Sequence, residues 1–196
     1  LEVPNDINLA LLAAAFGAKP FVISEVPDQD WVAKVRRELP PVEAGRFFVY
    51  GSHDAKHLPA GRIGLLIEAA MAFGTGHHGT TLGCLRAFDR LLHQNYIFNN
   101  VLDLGCCTAV LAMAAARASS INVIASDIDS IAIKTCNQNI YSNKLRGRIR
   151  THCVNSYHDR KIFRYFGYDL IVSNILTNPL CSMAGGLSKC LAPGGK

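Results

Sequence analysis

Val101-Leu-Asp-Leu-Gly-Cys-Cys-Thr-Ala-Val110 is the stretch that decides the fold. Largely apolar residues lead into Gly105, and a helix-forming run from Leu111 to Arg117 follows. This order predicts a buried strand, a sharp turn and then a helix. Glycine lets the backbone of such a turn come close to a ligand, because it has no side chain in the way. Cys107 and Ala109 are unusual residues for a ligand-binding turn, so other parts of the chain have to indicate what it holds.

Strand-like and helix-like segments alternate from this turn onward. The predicted strands are 101–104, 123–127, 149–154 and 168–174, and the predicted helices are 108–118, 130–141 and 179–191. This alternation predicts an α/β fold, a doubly wound and mostly parallel sheet with helices on both faces. The turn Ala192-Pro-Gly-Gly195 should lead into another strand, but the sequence stops at Lys196. We therefore expect a sheet that is truncated on its C-terminal side, or completed by another chain, with its fourth strand as a bare edge.

The first 60 residues show no pattern that points to chemistry. An apolar run at 9–16 predicts a short amphipathic helix, and the acidic residues before it argue against a signal peptide. Alternating residues predict strands at 21–26, 46–50 and 63–68, with a short helix beginning near Trp31. We expect a partial domain and linker over residues 1–60 and the sheet domain over residues 61–196. Because the first residue is not Met, we expect a longer parent chain.

The composition is that of a core-forming protein, with 49% hydrophobic and 18% charged residues. No apolar run reaches the length of a membrane span, so we expect no membrane partner. Seven cysteines, an odd number without a Cys-x-x-Cys pair, argue against a disulfide framework and a zinc site. Free thiols are typical of a reducing compartment, so we expect a cytoplasmic protein without a metal. The oligomeric state is left open.

The formal charge of +5 comes with a scattered set of basic residues. They are Lys134, Lys144, Arg146, Arg148, Arg150, Lys161 and Arg164. This set fits two interpretations, a solvated basic face or a surface that meets an acidic partner or a ribonucleoprotein.

A glycine-rich segment, Ala72-Phe-Gly-Thr-Gly-His-His-Gly-Thr-Thr81, precedes a predicted helix at 82–92. Thr80 or Thr81 is expected to cap that helix, whose free N–H groups favour an anionic group. One interpretation is an ordinary loop with a cap, and the other is a lid or wall of a small-molecule site. Adjacent His77 and His78 are poorly placed to share one metal ion.

Polar residues follow the predicted parallel strands, at the edge of the sheet where ligands bind. Asp127 lies 22 residues after Gly105, the position of an acid that accepts ribose hydroxyls, although it could instead be a helix N-cap. Asp103 is expected either to contact the ligand or to bond backbone amides of the turn. The dinucleotide pattern Gly-x-Gly-x-x-Gly is absent here, and the turn is nearer to Asp-x-Gly-x-Gly-x-Gly, the pattern of Class I methyltransferases.

Four blocks together resemble the bacterial ribosomal protein L-eleven methyltransferases of the PrmA type. They are Phe73-Gly-Thr-Gly-His-His-Gly-Thr-Thr81, Val101-Leu-Asp-Leu-Gly-Cys106, Asp127-Ile-Asp129 and Asn174-Ile-Leu-Thr-Asn-Pro-Leu180. The resemblance covers about residues 60–196, with a similar stretch at 31–53. It implies a Rossmann-like Class I fold and S-adenosylmethionine as the cofactor. It also implies methylation of lysine side chains and the N-terminal amine of a large-subunit ribosomal protein, recognised by a separate N-terminal domain of which residues 1–60 are the remnant and linker.

The resemblance also implies roles for single residues. Thr81, Gly105, Asp127 and Asn174 would surround the cofactor, with Asp127 on the ribose and Asn174 as the catalytic residue near the methyl group. Phe73, Gly74, Thr75 and Gly76 would cover it, and Cys107 would lie against it. Ile175-Leu-Thr after Asn174 differs from the Pro-Pro-aromatic sequence of enzymes that methylate nucleic-acid bases, so no direct reading of nucleic acid is expected.

Cys107 and Ala109 replace glycines of the family pattern. If Cys107 needs a positive φ, the strain is about 1 kcal/mol or more, whereas alanine at 109 is expected to be milder because the third glycine serves mainly helix–strand packing. We expect weaker cofactor binding with the fold intact. A degenerate fragment without catalytic activity is therefore one alternative. A nicotinamide-dependent oxidoreductase is another, disfavoured by its missing third glycine and by the block at Asn174.

Overall fold

The computed structural model describes residues 6–17, 40–67, 79–119, 122–154, 159–163 and 165–196. The chain divides into two units, Leu1–Asp30 and Trp31–Lys196. In the first unit the described element is helix α1, Asp6–Ala15, which confirms a helix here. Its apolar side chains are largely exposed, as at Leu11 and Leu12. The strand expected at 21–26 and the helix expected from Trp31 lie outside the described residues.

A small sheet opens the described part of the second unit. Its strands are β1 (Val42–Ala44), β2 (Phe47–Tyr50) and β3 (Ile63–Leu66), in that spatial order. β1 pairs with β2 in antiparallel fashion, and β2 pairs with β3 in parallel. A 3₁₀ helix at Ser52–His57 lies between β2 and β3. The two strands predicted at 46–50 and 63–68 are thus confirmed, each within two residues.

The larger sheet has four parallel strands. They are β4 (Asn100–Leu104), β5 (Asn122–Asp127), β6 (Ile149–Cys153) and β7 (Leu170–Ser173), in the order β6-β5-β4-β7. The helices are α2 (Gly79–His93), α3 (Val110–Ala118), α4 (Ser130–Ser142), α5 (Arg160–Phe163) and α6 (Thr177–Cys190). The strand order reverses between β4 and β7, which is the place where ligands bind in such sheets. The predicted doubly wound parallel sheet is confirmed.

Both faces of the larger sheet are covered, because neighbouring residues of one strand enter different cores. Val101 of β4 packs in a core with α3 and the small sheet, whereas Leu102 and Leu104 pack in a second core with Tyr168 and Leu187. Helix α3 is buried at every position from Val110 to Ala116. A helix that is apolar all round belongs in a protein interior, and here it lies between the two sheets.

Asn143 joins the small sheet to the larger one. Its side chain accepts a hydrogen bond from the backbone N–H of Leu66 at 3.0 Å and donates one to the carbonyl of Leu66 at 2.7 Å. The amide thus bonds β3 as the backbone of a neighbouring strand would. Asn143 is 5% exposed, so these bonds have little competition from water.

β7 is the last strand in the spatial order of the sheet, but its outer side is not the bare edge expected, because the final residue bonds to it. The N–H of Lys196 donates to the carbonyl of Asp169 at 2.9 Å, and the N–H of Ile171 donates to the carbonyl of Lys196 at 2.9 Å. The turn before Lys196 therefore leads into a strand position, as the sequence predicted. None of the described helices combines the length and apolar character needed to cross a membrane.

The expected capping role of Thr80 and Thr81 is wrong. Helix α2 begins at Gly79, so both threonines lie inside its first turn. Thr81 points into the protein, where it is 0% exposed. The far end of α2 carries Asp89, which forms an ion pair with Arg46 of the β1–β2 turn at 2.5 Å and so ties α2 to the small sheet.

Candidate functional site

The turn after β4 has an alternating left-handed backbone. Gly105, Cys107 and Ala109 have φ values of 75°, 49° and 64°. A positive φ costs glycine little but strains other residues, because Cβ approaches the carbonyl oxygen. Cys107 thus meets the condition under which strain was expected, and its effect on cofactor binding stays a prediction. Ala109 needs the same conformation and is fully buried, so its glycine counterpart serves the backbone turn as well as helix–strand packing; the expectation that alanine is milder here stays a prediction.

Neighbouring elements hold this strained turn in place. The N–H groups of Gly105 and Cys106 both donate to the carbonyl of Ser126 at the end of β5, at 2.8 and 2.9 Å. From α4, the amide of Asn139 donates to the carbonyl of Thr108 at 3.0 Å. A conformation with unfavourable φ angles persists only when its surroundings fix it in this way.

Asp103 is fully buried beneath the turn and serves helix α3. Its carboxylate accepts a hydrogen bond from the N–H of Ala112 at 2.9 Å. Ala109, the residue before α3, has no side-chain acceptor of its own, so Asp103 caps the helix from the neighbouring strand. Burial raises the pKa of Asp103 to about 7, with a smaller contribution from the charge of Asp127. Asp103 was expected either to contact the ligand or to bond amides of the turn, and it bonds a backbone amide of helix α3 instead of one in the turn.

Asp127 faces the turn from the end of β5. One carboxylate oxygen accepts the N–H of Cys107 at 2.9 Å, and the other accepts the N–H of Asp129 at 3.0 Å. The N-cap of α4 is Asp129, whose side chain accepts the N–H of Ile131 at 2.8 Å. The alternative that Asp127 caps this helix is therefore wrong. Its side chain is half-buried at the rim of the sheet and beside the turn.

Asn174 and Thr81 meet across the switch point of the sheet. The side-chain amide of Asn174, just after β7, donates to the hydroxyl of Thr81 in α2 at 3.0 Å. These residues are 93 positions apart in the sequence. The strand ends are also joined by Ser173, whose hydroxyl donates to the carbonyl of Leu104 at 2.9 Å. The first turn of α2, the turn after β4 and the end of β7 thus surround one place.

Ile175 belongs to this site, although it was not singled out from the sequence. A Cβ atom at Gly105 would clash with the Cγ2 of Ile175, so the isoleucine lies directly against the glycine backbone. The signal was its position in the block Asn174-Ile-Leu, but only the pairing of β4 with β7 places it beside the turn. Phe73, Gly74, Thr75 and Gly76 lie outside the described residues.

The cysteines of the turn are protonated thiols at neutral pH. Burial, and then the charge of Asp127, raise the pKa of Cys107 to about 11. A hydrogen bond to Cys136 and burial raise the pKa of Cys106 still further. A thiol is a weak nucleophile, so these cysteines line the site and take no chemical part in a reaction. In the part of the chain that the structure describes, no three His, Cys, Asp or Glu side chains form a group suited to a metal ion.

Known proteins share this architecture. A ribosomal protein L11 methylase from Lactobacillus delbrueckii subsp. bulgaricus has a solved structure similar to this chain, with a TM-score of 0.68 and 22% sequence identity. The similarity covers 79% of this chain and 76% of that one. The fold is therefore that of a Rossmann-like Class I methyltransferase. The family model of the ribosomal protein L11 methyltransferases (PrmA) matches residues 6–196, and the chain belongs to that family.

Sequence relatives agree with this assignment. The ribosomal protein L11 methyltransferase of Rhizobium etli is 42% identical over 194 residues, which are 99% of this chain and 66% of that protein. The protein of the same name from Brucella suis is 44% identical over 187 residues, 95% of this chain and 65% of its own length. The chain thus spans slightly less than two thirds of these relatives.

Proposed function

We propose that this chain binds S-adenosylmethionine and carries the methyl-transfer site of a protein amino-group methyltransferase. The observation that supports this most is the Asn174–Thr81 bond beside the left-handed turn at Gly105. It brings together three of the four residues that the family resemblance assigns to the cofactor. The fourth, Asp127, contacts the same turn through the N–H of Cys107.

The residues present fit this cofactor chemically. Each carboxylate oxygen of Asp127 has a second lone pair beyond the backbone bond that it already accepts, so hydroxyls of a ribose have acceptors there. Ile175 offers an apolar wall above Gly105. The carboxylate of Asp127 places negative charge beside the turn, which suits a ligand with a positive sulfonium group. Phe73 and the segment Gly74-Thr75-Gly76 would cover the bound molecule.

Asn174 is the residue proposed to act on the substrate. Its amide nitrogen is committed to Thr81, so its carbonyl oxygen faces the other way and accepts a hydrogen bond from the target amine. That bond directs the nitrogen lone pair at the methyl group. S-adenosylmethionine supplies this methyl on a cationic sulfur, and transfer forms the N–C bond as the C–S bond breaks.

The amine must be neutral to react. Entry into a site walled by Ile175 and the protonated Cys107 removes water from a lysine side chain, which lowers its pKa. The proton then passes to solvent, and no strong base is required. The family model and the names of the relatives support a large-subunit ribosomal protein as substrate. Lysine side chains and the N-terminal amine as targets rest on the family resemblance alone. All seven cysteines are free, which supports the cytoplasm as the compartment.

One observation favours a second candidate, a chain that keeps the fold without activity. Cys107 and Ala109 both occupy left-handed positions where the family pattern has glycine. Each side chain adds atoms to the turn, and Cys107 is close enough to the rim to narrow the site. Weak cofactor binding with an intact fold is the result this candidate requires.

Calorimetric titration with S-adenosylmethionine tests the cofactor proposal. Asp127→Asn should weaken binding about tenfold or more, because a charged acceptor is lost. Asp129→Asn is the matched control, since asparagine caps a helix as well as aspartate does, and its affinity should equal that of the parent. Equal affinities of all three proteins would remove Asp127 from the site, and no binding by the folded parent would end the cofactor proposal.

Transfer of a tritiated methyl group to purified large-subunit proteins tests the reaction. Asn174→Ala should lower the rate of transfer more than the cofactor affinity, because it removes the acceptor for the amine together with the bond to Thr81. Weak cofactor binding by the folded parent, without any transfer, would favour the inactive candidate.

A further inference from the structure

The positive charge of this chain is concentrated in one segment. Residues 130–154 contain five Lys and Arg side chains and no Asp or Glu. The charge of this segment equals the formal net charge of the whole chain, +5, so the remaining residues carry equal numbers of acidic and basic side chains. A solvated face that serves only solubility has both signs interspersed. The separation of positive from negative side chains therefore indicates a surface that binds a negatively charged partner.

Most of these cations lie at one end of the sheet, opposite to the cofactor site. They lie in the turn between α4 and β6 and in the first two residues of β6, which is an edge strand. Arg117 of α3 joins the group through its bond to the carbonyl of Asn143 at 3.0 Å. We call the group the basic face. Its members, all exposed, are Arg117, Lys144, Arg146, Arg148 and Arg150.

The basic face has few internal counter-charges. Within the described residues, no carboxylate oxygen lies within 4.0 Å of the cationic groups of Lys144, Arg146 or Arg150. Asp169, at the same end of the sheet, is engaged by the N–H groups of Asn99 and Asn100 at 2.8 and 2.9 Å. The field of these cations is therefore directed to solvent, where it attracts a polyanion.

Two arginines of the basic face are held against tyrosine rings. The guanidinium carbon of Arg146 lies 4.2 Å from the centre of the Tyr141 ring, and that of Arg150 lies 5.4 Å from the centre of the Tyr165 ring. Tyr141 is 60% exposed. Stacking orders a guanidinium while its N–H groups stay available at the edge. Cations interleaved with exposed aromatic rings are the surface that single-stranded nucleic acid uses, with phosphates on the cations and bases on the rings. An acidic polypeptide would use the cations alone.

We propose that the basic face binds the phosphate backbone of a single-stranded RNA segment, with a base on the exposed Tyr141. The choice of RNA over DNA rests on the proposed function, whose substrate is a ribosomal protein. Contact with phosphates does not read the base sequence. The basic face would hold the enzyme near RNA at the end of the sheet away from the methyl-transfer site, and would speed association by electrostatic attraction.

Fluorescence anisotropy with a labelled single-stranded RNA of about 16 nucleotides tests this proposal. The test variant is Lys144→Gln, Arg146→Gln and Arg150→Gln together. The matched control is Lys56→Gln, Arg90→Gln and Lys189→Gln together, which removes the same charge from exposed positions elsewhere. Circular dichroism checks that both variants fold.

The salt dependence decides the outcome. Each phosphate contact contributes about 0.7 to the slope of log affinity against log salt, so the test variant should lower the slope by about 2 between about 50 and 200 mM salt. The control should keep the slope of the parent. Tyr141→Leu should weaken binding about tenfold at unchanged slope, because a stacking platform is lost.

Equal losses in the test and control variants would overturn the proposal, because net charge alone would then explain binding. Tighter binding of poly-glutamate than of RNA would also overturn it and assign the surface to an acidic protein. RNA binding is measured without S-adenosylmethionine or substrate protein. If the cofactor titration shows no binding, the RNA measurement can therefore still be interpreted. If the RNA measurement shows no binding, the methyl-transfer proposal is unaffected.

Discussion

Cys107→Gly should raise the free energy of unfolding, although it removes a side chain. The left-handed conformation costs a residue other than glycine about 1–2 kcal/mol, and the parent has φ of 49° at this position. A glycine lowers the free energy of unfolding by about 0.5–1 kcal/mol, because it loses more conformational freedom on folding than cysteine does, and this offsets part of the relieved strain. The cysteine is only half-buried, so little apolar burial is given up. The net expectation is a stabilisation of about 0.5–1 kcal/mol.

Two alanine variants show whether backbone strain is the cause. Ala109→Gly relieves the same strain at φ 64° but gives up a fully buried methyl group, which is worth about 0.8 kcal/mol, so stability should stay nearly unchanged. Ala114→Gly removes an equally buried methyl from the interior of α3. There glycine is also about 1 kcal/mol worse than alanine in a helix, so the loss should be about 2 kcal/mol.

Urea unfolding followed by far-ultraviolet circular dichroism measures all three variants. The expected order of midpoints is Cys107→Gly above the parent, Ala109→Gly near the parent, and Ala114→Gly well below it. The slopes should be equal, since none of the changes alters the surface exposed on unfolding. If Cys107→Gly and Ala109→Gly lose as much stability as Ala114→Gly, the left-handed turn stores no strain and the reasoning is refuted.

Three further outcomes are expected. The double variant Cys107→Gly with Ala109→Gly should bind S-adenosylmethionine more tightly than the parent in a calorimetric titration, and equal affinity would show that the two side chains do not obstruct the site. Asp103 has a folded pKa of about 7 against an ordinary 3.8, so its contribution to stability is greatest below the lower value and is lost as pH rises to the higher one. Asp103→Asn should therefore flatten the fall in unfolding free energy over that range, and parallel pH profiles would contradict this. Asn143→Leu should cost about 2–4 kcal/mol in urea unfolding, because both backbone groups of Leu66 lose a buried partner.

The sequence was sufficient for the architecture of the larger sheet. Three of its four strands are short, largely apolar runs bounded by turns, and parallel pairing buries both faces of the inner strands, so these runs stand out. The end of each strand was also predictable, which placed Asp127 and Asn174 at the ligand edge before any contact was known. Chain order alone then required helices on both faces.

Contacts between distant residues were beyond the sequence. The bond between Asn174 and Thr81 spans 93 positions, and that between Asn143 and Leu66 spans 77. Neither leaves a local pattern, because a buried amide finds its partner only after the sheets have packed. Thr81 was misread as a cap for the same reason, since its hydroxyl bonds the neighbouring strand end instead of its own helix.

Backbone angles were readable only where glycine signals them. Gly105 predicted a sharp turn at its position. Ala109 directly precedes a helix-forming run, and an alanine there does not indicate a positive φ. The choice between Asp127 and Asp129 as N-cap was equally hidden, because both residues suit the role and lie two positions apart. The structure resolves it through the bond from Ile131 to Asp129.

The contact between Gly105 and Ile175 has an evolutionary consequence. A side chain at 105 has no space while an isoleucine stands at 175, and an alanine at 105 would require a smaller residue opposite. We expect these two positions to vary together among relatives, although 70 residues separate them in the chain. An alanine at 105 before a change at 175 would meet the Cγ2 of Ile175 in addition to the strain of a left-handed backbone, so the order of the two substitutions is constrained as well.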